Sequence, residues 1–203
     1  MKKTLVTMMA AFLLLASFKP EGGFKVGDKA ADFKLKNVDG KVVSLSSNYK
    51  DAKGVIVVFT CNHCPFAKKY EDRVIALDKK YKGLGYPVVA INPNDPGKSP
   101  EDSYDNMQKR SKEKGFTFPY LFDETQATAL AYGATNTPHI YILQRNGSDF
   151  TVKYIGAIDD NSDDATAVKE KYAEEALDAL LAGKPVAKTK TKAIGCTIKW
   201  KAA

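Results

Sequence analysis

Two cysteines separated by two residues are the part of this chain best suited to chemistry. They lie in the run Cys61-Asn62-His63-Cys64. Thiols at this spacing can close a disulfide or bind a metal ion. The chain contains three cysteines and two histidines, so a four-ligand zinc site would need both histidines, one of them inside the pair. We therefore favour redox chemistry over metal binding and over a purely structural pair.

The segments on either side of the cysteines predict a strand before them and a helix after them. The run from Gly54 to Phe59 is short, apolar and β-branched, which is typical of a buried central strand. After the cysteines, apolar side chains recur at helical spacing, at Phe66, Tyr70, Val74, Leu77 and Tyr81. At the start of that helix the free N–H groups and the helix dipole favour a thiolate. We therefore predict that Cys61 is the nucleophile.

The first 18 residues have the features of a secretory signal peptide. Lys2 and Lys3 precede an apolar run from Leu5 to Phe18, which is too short to span a bilayer. We predict that residues 1–18 are cleaved after export, which leaves no stable membrane insertion; an uncleaved anchor is the alternative. The protein would then be periplasmic or otherwise exported, in a compartment where disulfides persist.

The net charge of +7 does not by itself indicate a nucleic-acid-binding protein. Lysines cluster in the tail, residues 184–203, which also contains the third cysteine, Cys196. No interleaved aromatic pattern accompanies these lysines, so we interpret the tail as a solvated basic segment and predict no nucleic-acid partner. The length before the tail suits one domain, which we place at residues 24–183.

The rest of the pattern alternates strands with helices. The predicted elements are a hairpin from Phe33 to Leu45 around Gly40, a strand from Val88 to Ile91, a helix from Ser99 to Gly115, an extended piece from Phe118 to Phe122, a helix from Glu124 to Tyr132, a hairpin around Asn146-Gly147 and a helix from Asp163 to Leu181. This order indicates an α/β fold with a mixed central sheet and an N-terminal β-hairpin extension.

Three short motifs make the chain similar to a known fold. They are the strand leading into Cys61-Asn62-His63-Cys64, the dipeptide Thr137-Pro138 before an apolar strand, and Gly156-Ala157 after the last strand. Together they resemble the thioredoxin fold. The resemblance implies a thioredoxin-like three-layer sandwich.

Other segments resemble one branch of that fold, the redoxins, which include the alkyl-hydroperoxide-reductase/thiol-specific-antioxidant family. The resemblance rests on the first hairpin, on Phe118 to Glu124 and on Tyr132-Gly133-Ala134. The tail run Gly195-Cys196-Thr197-Ile198-Lys199-Trp200 resembles the Gly-Cys-x-Ile-Lys-Trp ending of peroxiredoxin-like proteins in this branch.

The resemblance implies the activity of a thiol-disulfide oxidoreductase. Cys61 would attack a substrate disulfide, a mixed disulfide would form, and Cys64 would resolve it. No cofactor is implied beyond the redox-active Cys61–Cys64 disulfide, and no metal; the partners are protein thiols or disulfides and a separate redox protein. In the family the Thr-Pro bond is cis and faces the cysteines, so Thr137 and Pro138 are predicted to offer backbone groups to substrate. A trans proline in an ordinary turn is the alternative.

Three further side chains are candidates for the site. His63 lies where related disulfide oxidases have a histidine, and a cationic imidazole there would stabilise the thiolate and raise the reduction potential; a solvated turn residue is the alternative. His139, after Pro138, is either an accessory residue or a satisfied strand-end histidine. Cys196 is either an accessory thiol, brought to the site by a tail docked through Ile198 and Trp200, or a thiol with no redox role.

The chain departs from its relatives at several positions. Peroxiredoxins carry a Pro seven residues and a Thr or Ser three residues before the reactive cysteine, whereas this chain has Gly54 and Val58 there. Thioredoxins carry a buried Asp six residues before the first cysteine, and here that residue is Val55. Two alternatives from other classes remain beside the oxidoreductase: a thiol-dependent peroxidase, and a copper-binding assembly factor using the same cysteines.

Overall fold

The computed structural model describes residues 22–202. The predicted signal peptide, residues 1–18, lies outside this range. Within residues 22–202, no helix combines the length and the apolar character needed to cross a membrane.

A seven-stranded mixed sheet lies at the centre of the protein. The strands of the described residues, including two outside this sheet, are β1 (Lys34–Asn37), β2 (Val42–Ser44), β3 (Gly54–Phe59), β4 (Val88–Asn92), β5 (Tyr120–Phe122), β6 (Asn136–Thr137), β7 (His139–Asn146), β8 (Asp149–Gly156) and β9 (Cys196–Thr197). The strand order is β2-β1-β5-β4-β3-β7-β8, and β6 pairs with β9 in a separate two-stranded sheet. Strand β3 runs parallel to β4 and antiparallel to β7.

Helices cover both faces of this sheet. They are α1 (Leu45–Asn48), α2 (Pro65–Tyr81), α3 (Tyr104–Lys114), α4 (Ala127–Tyr132) and α5 (Tyr172–Leu181). Successive residues of β3 point into different cores: Val57 packs in the cluster that includes residues of α1 and α4, and Val58 in the cluster that includes residues of α2, α3 and α5. Because both faces are covered, all six residues of β3 are buried, which explains its unbroken apolar sequence. The predicted three-layer α/β sandwich is confirmed.

Several predicted elements occur at the predicted positions. Strand β3 has the predicted bounds, and the first hairpin places Leu35 opposite Val43. Helix α2 buries Tyr70, Val74, Leu77 and Tyr81, whereas Phe66 is only half-buried. The hairpin of β7 and β8 turns at residues 147–148.

The predicted helix from Ser99 to Gly115 is wrong at its start. A 3₁₀ turn at Pro100–Asp102 comes first, and α3 begins only after Ser103, whose backbone is extended. The side-chain amide of Asn92 donates to the Asp102 carbonyl at 3.1 Å, so this carbonyl is held by β4. The interruption matters because it buries the Asp102 side chain completely.

Two further helices begin later than predicted. Helix α4 begins at Ala127 because the Asp123 carboxylate accepts the backbone N–H groups of Thr128 and Ala129, which fixes a turn where helix was expected. Helix α5 begins at Tyr172, since the guanidinium of Arg73 binds the Asp159 carboxylate at 2.8 Å and the backbone carbonyl of Asn161. These contacts hold the loop before α5 in a non-helical path.

The C-terminal tail packs along the domain. The Thr191 N–H donates to the Ile155 carbonyl at 3.0 Å, and the Ile198 N–H donates to the Thr135 carbonyl at 3.1 Å. Ile198 is buried in the same core as α4, and Trp200 packs against that core. The predicted docking of the tail through its apolar residues is therefore confirmed.

Candidate active site

Both cysteines of the pair are buried where β3 ends. The exposed fraction is 3% for Cys61 and 0% for Cys64. Cys64 is the N-cap residue of α2, and Pro65 follows at its first position. Cys61 lies three residues earlier in the loop, so the prediction that the first cysteine occupies the helix start is wrong.

The two thiols of the pair influence each other's ionisation. The neighbouring Cys61 thiol lowers the pKa of Cys64 well below the usual thiol range; burial opposes this shift, while Cys196 and the backbone of Ala67 act in the same direction. The Cys64 thiol, followed by burial and by the charge of Asp102, raises the pKa of Cys61. The pair therefore loses its first proton easily and its second with difficulty.

Asp102 holds the loop between the cysteines. Its Oδ1 accepts the backbone N–H groups of Asn62 at 2.6 Å and His63 at 3.2 Å. Its Oδ2 lies 2.6 Å from His63 Nδ1 and accepts the side-chain amide of Asn94 at 2.8 Å. Four hydrogen bonds to one buried carboxylate fix both the path of the loop and the orientation of the imidazole.

The sequence interpretation missed Asp102 as a site residue. The 3₁₀ turn that places it was read as the first turn of a helix. Asn94 carried a usable signal, because it follows β4, and the carboxyl ends of the parallel strands β3 and β4 lie at the same edge of the sheet. Asp102 itself, further along the same connection, carried no signal in the sequence.

His63 lies between Cys61 and Asp102. Its Nδ1 is 3.7 Å from the Cys61 sulfur and 2.6 Å from Asp102 Oδ2, and its side chain is 23% exposed. The predicted contact with the first cysteine is therefore present, and the carboxylate is the nearer partner. This geometry disagrees with the alternative of a merely solvated turn residue.

Thr137 contacts both sulfurs of the pair. Its hydroxyl lies 3.1 Å from the Cys61 sulfur, and its carbonyl accepts the Cys64 thiol at 3.2 Å. The bond from Thr137 to Pro138 is cis, as the family resemblance implies. However, β9 pairs with β6 and places Cys196 opposite Thr137. The strand edge predicted to receive a substrate chain is therefore covered by the protein's own tail.

His139 turns away from the sulfurs. Its ring accepts the Thr135 N–H at 3.4 Å and packs against the Tyr141 ring, with centroids 4.9 Å apart. Burial, together with the nearby charge of Lys190, lowers the pKa of His139 to about 4, so the ring is neutral at neutral pH. These contacts fit a satisfied strand-end histidine better than an accessory catalytic residue.

Cys196 joins the pair to make a cluster of three cysteines. It is half-buried and packs against Cys61, Cys64 and Ala67. The Cys64 and Cys196 thiols shift each other's pKa: that of Cys64 is lowered and that of Cys196 is raised. The predicted approach of the tail cysteine to the site is confirmed; its redox role remains a prediction.

One set of side chains in the described part of the chain has donor atoms close enough to hold a metal ion. These atoms belong to Cys61, His63 and Asp102 and lie within 4.8 Å of one another. Both oxygens of Asp102 already accept hydrogen bonds from the loop and from Asn94. A metal ion bound there would compete with the contacts that shape the loop.

Comparison with known proteins agrees with this geometry. The chain is 24% identical over 123 residues to the thiol-disulfide oxidoreductase ResA of Halalkalibacterium halodurans; the match covers 61% of this chain and 65% of that protein, just under two thirds of its length. A crystal structure of an uncharacterized conserved protein from Geobacillus kaustophilus is 42% identical, with a TM-score of 0.79 over 89% of this chain and 94% of that one.

A thiol:disulfide interchange protein of the thioredoxin family from Chlorobium tepidum TLS shares the fold. Its TM-score is 0.52 at 21% identity, over 66% of this chain and 87% of that one. The model of the AhpC/TSA family matches residues 26–173. The predicted membership of the redoxin branch is confirmed at that level. The chain therefore belongs to the AhpC/TSA family and has a thioredoxin-like fold.

Proposed function

We propose that the protein is an exported thiol-disulfide oxidoreductase that exchanges a dithiol for a disulfide at Cys61-Asn62-His63-Cys64. The observation that carries this proposal is that both thiols of the pair contact Thr137 beside its cis bond to Pro138. The relative named thiol-disulfide oxidoreductase supports the same reaction. The substrates are protein thiols or disulfides, and a separate redox protein restores the pair.

Cys61 is the attacking sulfur because it alone of the pair reaches the surface. The proton shared by the two thiols moves from Cys61 to Cys64, and the Cys61 thiolate attacks one sulfur of a substrate disulfide. That bond breaks, one substrate thiolate leaves, and a mixed disulfide with Cys61 remains. Cys64 then loses its proton, attacks the Cys61 sulfur and releases the second substrate thiol. The substrate gains two electrons and the pair becomes a disulfide.

His63 and Asp102 support this reaction from the side of Cys61. The imidazole is close enough to Cys61 to interact with a thiolate formed there, and the Asp102 carboxylate orients it. A positive imidazole stabilises the reduced pair and therefore raises its reduction potential.

Disulfide exchange by cysteine variants tests the proposal. The reduced full-length protein is expected to reduce oxidised glutathione and insulin, and Cys61→Ser to abolish both reactions. Cys64→Ser should accumulate a mixed disulfide on Cys61, because the resolving thiol is gone. Thr197→Ala, an exposed change in the neighbouring strand β9, is the matched control and should react at the normal rate. Activity that survives Cys61→Ser would disprove the assigned roles.

The two alternatives predict different results with the same preparations. A peroxidase would consume hydrogen peroxide with a thiol reductant much faster than the reductant alone, and would do so through Cys61. A copper-binding factor would retain one Cu⁺ per chain, lost on changing either cysteine, without exchanging disulfides. The residues Gly54 and Val58, which replace the peroxiredoxin Pro and Thr, support the oxidoreductase over the peroxidase.

Export is supported by the sequence of the first 18 residues, with two lysines before an apolar run. A cysteine pair exported in this way enters an oxidising compartment, where its redox state depends on its partner. Mass spectrometry of the protein secreted or released from cells is expected to find a chain that begins after residue 18. Recovery of the intact N-terminus would point to an anchor instead.

A further inference from the structure

The tail places a third sulfur directly against the pair. Strand β9 puts Cys196 opposite Thr137, and the carbonyl of Thr137 accepts the Cys64 thiol at 3.2 Å. Gly195 makes this approach possible, because a Cβ there would lie 2.3 Å from the Thr137 carbonyl oxygen. Cys196 packs against the cluster that contains Cys61 and Cys64, and the Cys64 and Cys196 thiols shift each other's pKa.

We propose that Cys196 is a further catalytic residue, which takes over the disulfide by attacking Cys64 and so frees Cys61. This inference rests on the proposed disulfide exchange at Cys61 and Cys64, and deepens it. It gives the chain an internal relay of three cysteines, ending on the tail.

The step is a thiol–disulfide exchange within the chain, so it needs no outside oxidant. The Cys196 thiolate attacks the Cys64 sulfur of the Cys61–Cys64 disulfide. A bond forms between the sulfurs of Cys64 and Cys196, the bond between Cys61 and Cys64 breaks, and Cys61 leaves as a thiolate. The proton given up by Cys196 ends on Cys61, so charge and atoms balance. The same step in reverse serves a protein that donates disulfides.

The surroundings of Cys196 change with the redox state of the pair. In the reduced protein, burial raises the pKa of Cys196, and the hydrogen bond and charge of Cys64 raise it further, while Lys199 and the backbone of Phe66 lower it. Oxidation of the pair removes the charge on Cys64 but leaves Lys199 and Phe66 in place. Cys196 therefore becomes easier to ionise when a disulfide is present to attack.

The relay moves the oxidised sulfur toward solvent. Cys64 is completely buried and Cys61 nearly so, whereas Cys196 is half-buried. A disulfide between Cys64 and Cys196 therefore offers a redox partner a sulfur more accessible than either of the pair. Because the tail covers the edge of β6, substrate and partner would meet different sulfurs of the cluster.

Disulfide mapping of the full-length protein tests the relay. After oxidation by oxidised glutathione, acid quenching and alkylation, the wild type is expected to contain both a Cys61–Cys64 and a Cys64–Cys196 linkage. Cys61→Ser, which leaves the tail unchanged, should still form the Cys64–Cys196 linkage when it is oxidised directly with diamide instead of glutathione. Cys196→Ser should reduce insulin normally in a single turnover, yet be re-reduced by dithiothreitol about tenfold more slowly than the wild type. Thr197→Ala is again the control.

The two proposals fail in different ways. If no variant exchanges disulfides with glutathione, the proposed function fails and the relay fails with it. If Cys196→Ser is re-reduced at the wild-type rate and mapping finds only the Cys61–Cys64 linkage, the relay is overturned while the oxidoreductase stands. A Cys64–Cys196 linkage in Cys61→Ser together with slow re-reduction of Cys196→Ser supports both.

Discussion

At the scale of single residues, the chemistry depends on where one proton rests. The two neighbouring thiols shift each other's pKa, lowering that of Cys64 and raising that of Cys61, because the second ionisation would place two negative charges side by side. The reduced pair therefore holds one proton around neutral pH, and that proton must lie on Cys64 when Cys61 attacks a substrate.

The separation between the lowered pKa of Cys64 and the raised pKa of Cys61 predicts an unusual pH dependence of the reduction potential. Between the lowered and the raised pKa, reduction consumes two electrons and one proton, so the potential should fall by about 30 mV per pH unit around neutrality. Two ordinary thiols would give about 60 mV per unit up to a pH near 8. Equilibration of Cys196→Ser with glutathione at a series of pH values measures this slope without the third thiol.

The same pKa shift has a consequence for stability. Because the pKa of Cys64 is lower in the folded reduced protein than in the unfolded chain, the reduced fold gains stability as pH rises. That contribution is complete above the pKa of an ordinary thiol and is lost as pH falls through the lowered value. The oxidised protein lacks it. For the reduction potential, a measured slope near 60 mV per pH unit around neutrality would contradict a reduced pair that holds one proton.

At the scale of elements, the site is assembled from four connections that are distant in sequence. Strand β3 delivers the cysteines, the 3₁₀ turn at Pro100–Asp102 supplies the carboxylate, β6 supplies Thr137 and β9 supplies Cys196. Asn62 ties the loop after β3 to β5 and to the 3₁₀ turn, because its side chain accepts the Tyr120 hydroxyl at 2.9 Å and donates to the Glu101 carbonyl at 2.8 Å. The loop between the cysteines is therefore held on both of its middle residues.

Replacing Asp102 with Asn should lower the free energy of unfolding, slow disulfide exchange and raise the reduction potential. Asn has one acceptor oxygen where the carboxylate has two, so Asp102→Asn leaves buried donors unpaired and should lower the free energy of unfolding by about 1–3 kcal/mol. Loss of loop positioning should slow exchange at Cys61 by about tenfold to a hundredfold. The reduction potential should rise, because the Asp102 charge opposes a thiolate at Cys61.

The control for this change is Asp105→Asn, which removes an exposed charge from the first turn of α3. It should leave the unfolding free energy, the exchange rate and the potential close to wild type. A merely structural Asp102 would lower stability without moving the potential. That result, or equal effects of the two variants, would rule out the positioning role.

The elements that were predictable from the sequence are those with a strong local pattern. Strand β3 is one unbroken apolar run and helix α2 buries residues at helical spacing, so their positions and much of the core followed from the local sequence. The starts of α3, α4 and α5 did not, since side chains such as Asp123 and Arg73 bind backbone groups there and override helix propensity. Such contacts depend on tertiary structure and leave no periodic signal.

The candidate site was predictable to a similar degree. The cysteine pair and the cis Thr137–Pro138 were found from motifs. Asp102 was missed, because its role arises only when the loop after β4 folds back over the end of β3. The coverage of β6 by β9 was also missed, since a two-residue strand pair has too little sequence for a pattern.

At the scale of the whole molecule, the tail links the third cysteine to the active-site loop. Asn94 receives the Lys199 N–H on its Oδ1 at 2.9 Å and donates its amide to Asp102 at 2.8 Å. Gln126, with a backbone φ of 62°, donates its side-chain amide to the Pro93 and Lys199 carbonyls. A non-glycine residue with a left-handed backbone conformation costs about 1–3 kcal/mol of folding free energy, which the contacts of Gln126 must offset. Docking of the tail and positioning of the loop are thus coupled through shared residues.

A methyl group at Gly195 should detach this tail without touching a cysteine. The added Cβ would lie 2.3 Å from the Thr137 oxygen and 2.8 Å from the Pro138 nitrogen, both backbone atoms, so β9 must move away from β6. Gly195→Ala is expected to accelerate alkylation of Cys196 by about tenfold, which corresponds to about 1.4 kcal/mol of lost docking free energy.

Gly83→Ala is the matched control, because a Cβ at Gly83 meets no atom within 4 Å and its backbone φ is not positive. Alkylation of the reduced proteins, followed by peptide mapping, gives the rate at each cysteine separately. Because Asn94 ties the tail to Asp102, Gly195→Ala should also accelerate labelling of Cys61, although less than that of Cys196. Labelling of Cys196 as slow in Gly195→Ala as in Gly83→Ala would mean that β9 is not held on β6 by this close approach.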